Sequence, residues 1–247
     1  LSVGLTGFCL TPRRDWKTLT AMTNPVKALF DRIAPRYDRV NGLMTLYRVR
    51  AMRQRLVSEI YPRPNLRVLD LCAGTLECSR AVVERFPDAH VTAVDMSEEM
   101  LRVGLEKLGA KERGRIRVIC GDVLGADLPA CSFDAALCAW GVRNIEERWL
   151  LLKKVRSWLA PGGQLLVLEL FRPTSAFMRF LIGRVGALAI PLIGALAAGE
   201  SSAYRYLVRS IGEMPLPSEF EALLRKSGFG TVGASRSSFD EHIFIAE

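Results

Sequence analysis

From residue 66 onward, short apolar runs alternate with segments whose apolar residues recur at helical spacing. The runs "LRVLDLC" (66–72), "HVTAVDM" (90–96), "RIRVICGDV" (115–123), "FDAALCAW" (133–140) and "GGQLLVLEL" (162–170) predict strands. Helical patterns fall between and after them, at 77–86, 98–109, 146–159 and 217–227. Ser97, with Glu99 and Met100 behind it, predicts a helix start, and Pro161-Gly162-Gly163 predicts a stop and turn. Strands this continuously apolar are buried on both faces, which requires a parallel sheet covered by helices on each side. The tail "TVGASRSSFDEHIFIAE" offers two further strands. The pattern predicts an α/β fold, doubly wound around a mostly parallel seven-stranded sheet.

Two regions depart from this rhythm. Residues 24–60 read as helices leading into the first strand, and 172–216 read as a helical insertion after the fifth. Within the insertion, "VGALAIPLIGALAAG" (185–199) carries no charge. It falls short of the ~20 residues a bilayer-spanning helix needs. It reads equally as a buried helix broken by Pro191 or as a greasy lid over a long apolar substrate. Residues 1–23 read as a poorly ordered leader rather than a signal peptide, and 24–247 as one domain.

The chain has 247 residues, is 49% hydrophobic and 24% charged, and carries a net charge of +8. Such a composition supports a sizeable core. The basic excess suits a solvated surface, an anionic membrane or an acidic substrate. Its scattered Lys and Arg, without an Arg/Gly-rich run or a basic stripe interleaved with aromatics, argue against nucleic acid. Six cysteines form no C-x-x-C pair, and two histidines build no zinc site of familiar spacing. The chain therefore reads as reduced, metal-free and cytoplasmic.

The candidate chemistry sits at the carboxyl ends of the strands, where open α/β sheets bind ligands. Asp70, Gly74, Asp95 and Asp122 occupy these ends in succession. A glycine turn after the first strand lets backbone N–H groups approach a ligand. An acidic residue ending the second strand suits the ribose hydroxyls of an adenosine-containing cofactor. Asp122 is placed to touch the adenine. The glycine pattern for a pyrophosphate, G-x-G-x-x-G, is absent.

The D-x-x-x-G-T of the first strand, with the acid at the second, resembles the class I S-adenosylmethionine-dependent methyltransferases. "FDRIAPRYDRVNGLMT" (30–45), "VLDLCAGT" (68–75), "FDAALCAWGVRNIEE" (133–147), "LAPGGQLLVLEL" (159–170) and "SAYRYLVRSI" (202–211) resemble the ubiquinone/menaquinone biosynthesis C-methyltransferase family more narrowly. This resemblance runs from about residue 24 to about residue 229. It implies S-adenosyl-L-methionine as cofactor and methylation of a ring carbon on a polyprenylated benzoquinol or naphthoquinol. It places Asp70, Gly74, Thr75, Asp95, Met96, Asp122, Val123 and Ala139 around the cofactor. It places Tyr37, Arg143 and Asn144 at the reacting ring, and Asn41, Tyr204 and Tyr206 at the substrate entrance. Arg143 would stabilise a developing phenolate, and its bland alternative is an ion pair with Glu146 or Glu147. Glu169, in a buried strand, reads as an anchor for a partner side chain. A lipid substrate further implies peripheral contact with a membrane, and the family permits a homodimer or a larger assembly.

Three positions depart from the family pattern. The last glycine of D-L-A-x-G-T-G-D is Leu76, a serine usual in the fourth strand is Ala139, and the glycine-rich tail is "FDEHIFIAE". A left-handed backbone at Leu76 would cost on the order of 1–2 kcal/mol. A close approach to the ligand there would instead put the side chain in ligand space. These departures leave open a member doing other S-adenosylmethionine chemistry on a quinone-like or isoprenoid-like substrate, or a non-catalytic cofactor- or lipid-binding subunit.

Overall fold

The computed structural model describes residues 24–45, 47–176, 180, 201–236 and 241–247. The leader and the apolar stretch 185–199 lie outside the described residues. Three helices come first: α1 (Pro25–Ile33), α2 (Tyr37–Met44) and α3 (Val49–Ser58), with a 3-10 turn at Ala34–Arg36 joining α1 to α2. The Asn24 side chain caps α1 by accepting the Val26 and Lys27 N–H groups, and Pro25 occupies the first helical position, where no N–H is required.

The alternating part follows as β1 (Arg67–Leu71), α4 (Glu77–Arg85), β2 (His90–Asp95), α5 (Glu98–Lys107), α6 (Ala110–Arg113), β3 (Ile116–Cys120), β4 (Phe133–Ala139), α7 (Arg148–Trp158) and β5 (Leu159–Leu170). The chain then supplies α8 (Ser201–Gly212), α9 (Pro217–Lys226), β6 (Val232–Arg236) and β7 (Glu241–Ala246). The seven strands lie in the order β3-β2-β1-β4-β5-β7-β6. The first five are mutually parallel, and β7 runs antiparallel between β5 and β6. The order reverses direction between β1 and β4, which opens a crevice at their carboxyl ends.

Alternation along each strand divides the core between the two faces. Leu69, Leu71, Ala136, Cys138, Leu165 and Val167 pack with α7 and α9 side chains on one face. Val68, Ala135, Leu137, Leu166 and Leu168 pack with α3, α4 and α5 on the other. This doubly buried sheet is what the continuous apolar runs imply.

The structure corrects several boundaries. Pro161-Gly162-Gly163 does not end a turn before a new strand; it lies inside β5 as an irregularity, with Gly162 at φ 68°. Phe133 pairs with Leu159 while Ala135 pairs with Gln164, so the extra residues bulge out and the ladder resumes. The third strand stops at Cys120, which leaves Asp122 and Val123 in the following loop. The one-turn helix α6 carries too few residues to show a period in the sequence.

Candidate functional site

At the end of β1 the chain must turn sharply to enter α4, and it does so through left-handed residues. Cys72, Gly74 and Leu76 have φ of 53°, 52° and 61°. Leu76 donates its N–H to the Ala73 carbonyl at 3.0 Å and accepts the Arg80 N–H at 2.9 Å, so it closes the turn and opens the helix. Its side chain is fully buried and packs toward α5, away from the crevice. There Gly104 makes room: a Cβ on Gly104 would lie 2.7 Å from Leu76 Cγ and 2.8 Å from the Thr75 carbonyl carbon. The prospect of Leu76 occupying ligand space is therefore corrected. The backbone cost remains and the space above the loop stays open, since a Cβ on Gly74 would meet nothing within 4 Å.

Asp95 braces this loop. One carboxylate oxygen accepts the Gly74 N–H and the other the Ser97 N–H, each at 2.8 Å. Burial pushes the Asp95 carboxyl up from its ordinary value, and the N–H donors of Ser97 and Gly74 act against that shift. Ser97 caps α5 by accepting the Met100 N–H at 3.2 Å, as its position predicts. Asp70 is buried and accepts the Ser79 hydroxyl at 2.6 Å; burial pushes its carboxyl up to about 6.

A crevice opens over the loop. Of the residues predicted to hold a cofactor, Asp70, Gly74, Thr75 and Ala139 line it, together with Tyr37 from α2. Asp95, Met96, Asp122 and Val123 lie outside this lining. Val123 is buried, whereas Asp122 is exposed and accepts the Leu124 N–H at 2.9 Å within its own turn.

Arg143 lies in the 3-10 turn Val142–Asn144 after β4, and its predicted alternative partners are corrected. Glu146 and Glu147 are exposed; the ion pair is with Glu169 of β5, at 2.8 Å, and Glu169 also accepts the Arg143 backbone N–H at 3.1 Å. Glu169 is the anchor its burial suggested. Burial works against the Arg143 charge, but the adjacent carboxylate outweighs it and holds the guanidinium above its ordinary value. The Arg143 Nε is buried and has no hydrogen-bond partner among the described residues. Tyr37 and Tyr206 are near enough for their hydroxyls to act electrostatically on Arg143. Tyr206, on α8, donates its hydroxyl to Asn144 Oδ1 at 3.0 Å. Asn41 follows Tyr37 by one turn on α2 and shares its face. The side chain of Tyr204 lies outside the described residues.

Four residues missed in the sequence complete the site. Thr75 donates its hydroxyl to Asp38 of α2 at 2.7 Å, and Ser97 donates to Asp31 of α1 at 2.6 Å. These carboxylates sit seven residues apart on a nearly continuous helical path, a spacing that does mark one face. Arg53 of α3 and Trp140 also line the crevice, and neither left a sequence signal, since their pairing joins remote elements. The crevice thiols are poor nucleophiles: Cys72 is raised well above the usual range, first by its hydrogen bond to Cys138 and then by burial, and burial raises Cys78. Among the described residues, no group of His, Cys, Asp and Glu is arranged to hold a metal ion.

Solved structures with this architecture include methyltransferases. The chain superposes on an S-adenosylmethionine-dependent methyltransferase from Aquifex aeolicus with a TM-score of 0.59, at 16% identity, over 85% of this chain and 96% of that one. It superposes on Haemonchus contortus phosphoethanolamine N-methyltransferase 2, solved with S-adenosyl-L-methionine, with a TM-score of 0.60 over 79% of this chain and 52% of that one, also at 16% identity. At that identity the likeness concerns the fold alone. Closer relatives are the ubiquinone/menaquinone biosynthesis C-methyltransferase UbiE of Syntrophotalea carbinolica, 37% identical over 82% of this chain and 85% of that protein, and the demethylmenaquinone methyltransferase of Deinococcus radiodurans, 34% identical over 83% and 85%. A model of the ubiE/COQ5 methyltransferase family matches residues 18–240. With the turn, the brace and the arginine pair all inside that span, this chain belongs to the ubiE/COQ5 methyltransferase family.

Proposed function

We propose that this protein is an S-adenosylmethionine-dependent C-methyltransferase acting on a ring carbon of a polyprenylated benzoquinol or naphthoquinol. The observation that carries this reading is the buried Arg143, paired with Glu169 and flanked by Tyr37 and Tyr206, with an Nε donor that has no partner among the described residues. The fold's cofactor fits the residues present: the space over Gly74 is open, and Asp95 draws the loop and the start of α5 together. Gly74, Thr75, Asp95 and Met96 would hold its methionine and ribose portions, Asp122 and Val123 would flank its adenine, and Asp70 and Ala139 would wall the site. When bound, it supplies an electrophilic methyl group on a sulfonium.

The protein's part is placement and charge. Arg143 offers a fixed positive charge and a free donor where a ring hydroxyl ionises, which lowers the cost of the carbon-nucleophilic phenolate. Glu169 holds that guanidinium in one orientation. Tyr206 fixes the Asn144 amide, and Tyr37, Asn41 and Tyr204 would surround the ring at the entrance. Once closed over its ligands, the crevice would keep water from the line along which ring carbon and methyl must meet. The segment 172–216 would serve as a lid for the isoprenoid tail. The net charge of +8 favours peripheral contact with an anionic membrane, and among the described residues no helix is long and apolar enough to cross one. Assembly as a homodimer or within a biosynthetic complex is compatible with such a surface.

The test combines a thermal-shift titration with S-adenosylmethionine and incubation with a demethylquinol and labelled methyl donor. Saturable stabilisation with labelled product supports the reading. Stabilisation without label would point to different chemistry on the same cofactor, and no response at millimolar cofactor would leave a non-catalytic binding subunit. Arg143→Met is expected to lower kcat about 10²- to 10³-fold with cofactor affinity retained.

A further inference from the structure

Arg53 is the basic side chain of the crevice without an assigned task. It projects from α3 into the lining beside Gly74 and Thr75, and its guanidinium carbon lies 5.2 Å from the centroid of the Trp140 ring. Trp140 is a fixed platform. Its backbone is left-handed at φ 55°, and its indole N–H is donated to Glu241 at 2.9 Å. The Arg53 charge reaches Asp70 and Cys78, yet among the described residues Arg53 makes no hydrogen bond or ion pair; its other contact is the aromatic face.

The carboxylates nearby are not available to it. Glu77 is engaged by Lys107 at 2.6 Å and by Arg80 at 3.6 Å. Asp70 is buried, and its carboxylate accepts the Ser79 hydroxyl at 2.6 Å rather than Arg53. A guanidinium stacked on an indole, with no donor spent among the described residues, matches a planar anion that binds through two parallel hydrogen bonds. The cofactor presents one such group, the α-carboxylate of its amino-acid portion.

We infer that Arg53, held flat on Trp140, is the receptor for the α-carboxylate of the cofactor's methionine portion. This assignment rests on the cofactor reading above and adds a residue to it. Arg53 therefore selects ligands that carry the amino acid, and Trp140 acts through Arg53 as a positioning residue.

Isothermal titration separates this role from a structural one by comparing S-adenosylhomocysteine with 5′-methylthioadenosine, which has the same nucleoside and lacks the amino acid. Arg53→Gln is expected to weaken S-adenosylhomocysteine about 10- to 100-fold and leave methylthioadenosine within about 3-fold, the size of a lost charge-assisted bond. Arg53→Lys, which keeps the charge and stem but not the fork, should show a smaller loss with the same selectivity. Methylthioadenosine also reports whether each variant is folded. Equal weakening of both ligands in both variants, or no change in either, would overturn the assignment. Failure of the unsubstituted protein to bind either ligand would overturn the cofactor reading itself, and the inference with it.

Discussion

Leu76 holds a left-handed backbone, with φ 61° and ψ 19°, at a cost on the order of 1–2 kcal/mol for a residue with a Cβ. Replacing it with glycine would remove that cost, but it would also empty a fully buried leucine site against Gly104, a loss of about 2–5 kcal/mol. The cavity is the larger effect, so Leu76→Gly is expected to lower stability in urea unfolding; an increase would show that strain dominates. Gly104→Ala should also destabilise, because its Cβ meets the Thr75 backbone as well as the leucine. Asp70 supplies a prediction in pH. Its folded value of about 6 exceeds the ordinary unfolded value near 4, so between these the native state binds more protons than the unfolded state. Asp70 thus subtracts stability as pH rises through that window, by about 3 kcal/mol once above it. Asp70→Asn, which keeps an acceptor for Ser79, is expected to be more stable than the parent above pH 6, with the gap closing toward pH 4. A gap that is constant with pH would show that Asp70 titrates normally.

At the scale of elements, hydrogen bonds to Asp31 from the Ser97 hydroxyl and the Glu99 backbone join α1 to α5. Ser97 accepts the Met100 N–H as a helix cap and donates to Asp31, while Thr75 makes the corresponding bond to Asp38 of α2. Asp38 also receives Lys107, so the N-terminal helices are tied to both turns that flank the crevice. Ser97→Ala should cost about 1–2 kcal/mol through the lost cap. Ser97→Asp keeps a capping oxygen but sets a second carboxylate against Asp31. Hydrogen exchange is expected to show α1 amides exchanging faster in Ser97→Asp while α5 stays protected; unchanged α1 protection would mean that apolar contacts hold the helix. The pair across the sheet behaves differently. Glu169→Gln leaves a buried guanidinium without its counter-charge and should cost about 3–5 kcal/mol, whereas a combined Arg143→Met and Glu169→Leu substitution should cost less. If the double substitution is the worse of the two in urea unfolding, the pair is a net source of stability.

For the whole molecule, a net charge of +8 and the proposed lipid substrate together lead to a salt test. Binding to vesicles with anionic lipid is expected to exceed binding to neutral vesicles and to fall as salt rises; equal, salt-insensitive binding would remove the electrostatic contribution. The doubly wound architecture was legible in the sequence because each parallel strand is buried on both faces and so is written as an unbroken apolar run. The turn at Gly74, the cap at Ser97, the anchor role of Glu169 and the acids Asp70 and Asp95 at the ends of β1 and β2 were legible for a similar reason. Each follows from local backbone demands or from strand position, and the family resemblance added the remaining candidates. The bulge at Pro161-Gly162-Gly163 was not legible, because a turn and a bulge share the same residues and only pairing with β4 distinguishes them. The direction of the Leu76 side chain depended on a glycine in another helix, and the partner of Arg143 on the adjacent β5 rather than on the nearby Glu146 and Glu147. Arg53 and Trp140 meet across the crevice from α3 and the end of β4. The sequence by itself determined the alternation of strands and helices and the carboxyl-end crevice as the candidate site, because both follow from local pattern. Among the described residues, tertiary structure decided which charges are paired and which side chains line the crevice, because those depend on contacts between segments that no local pattern encodes.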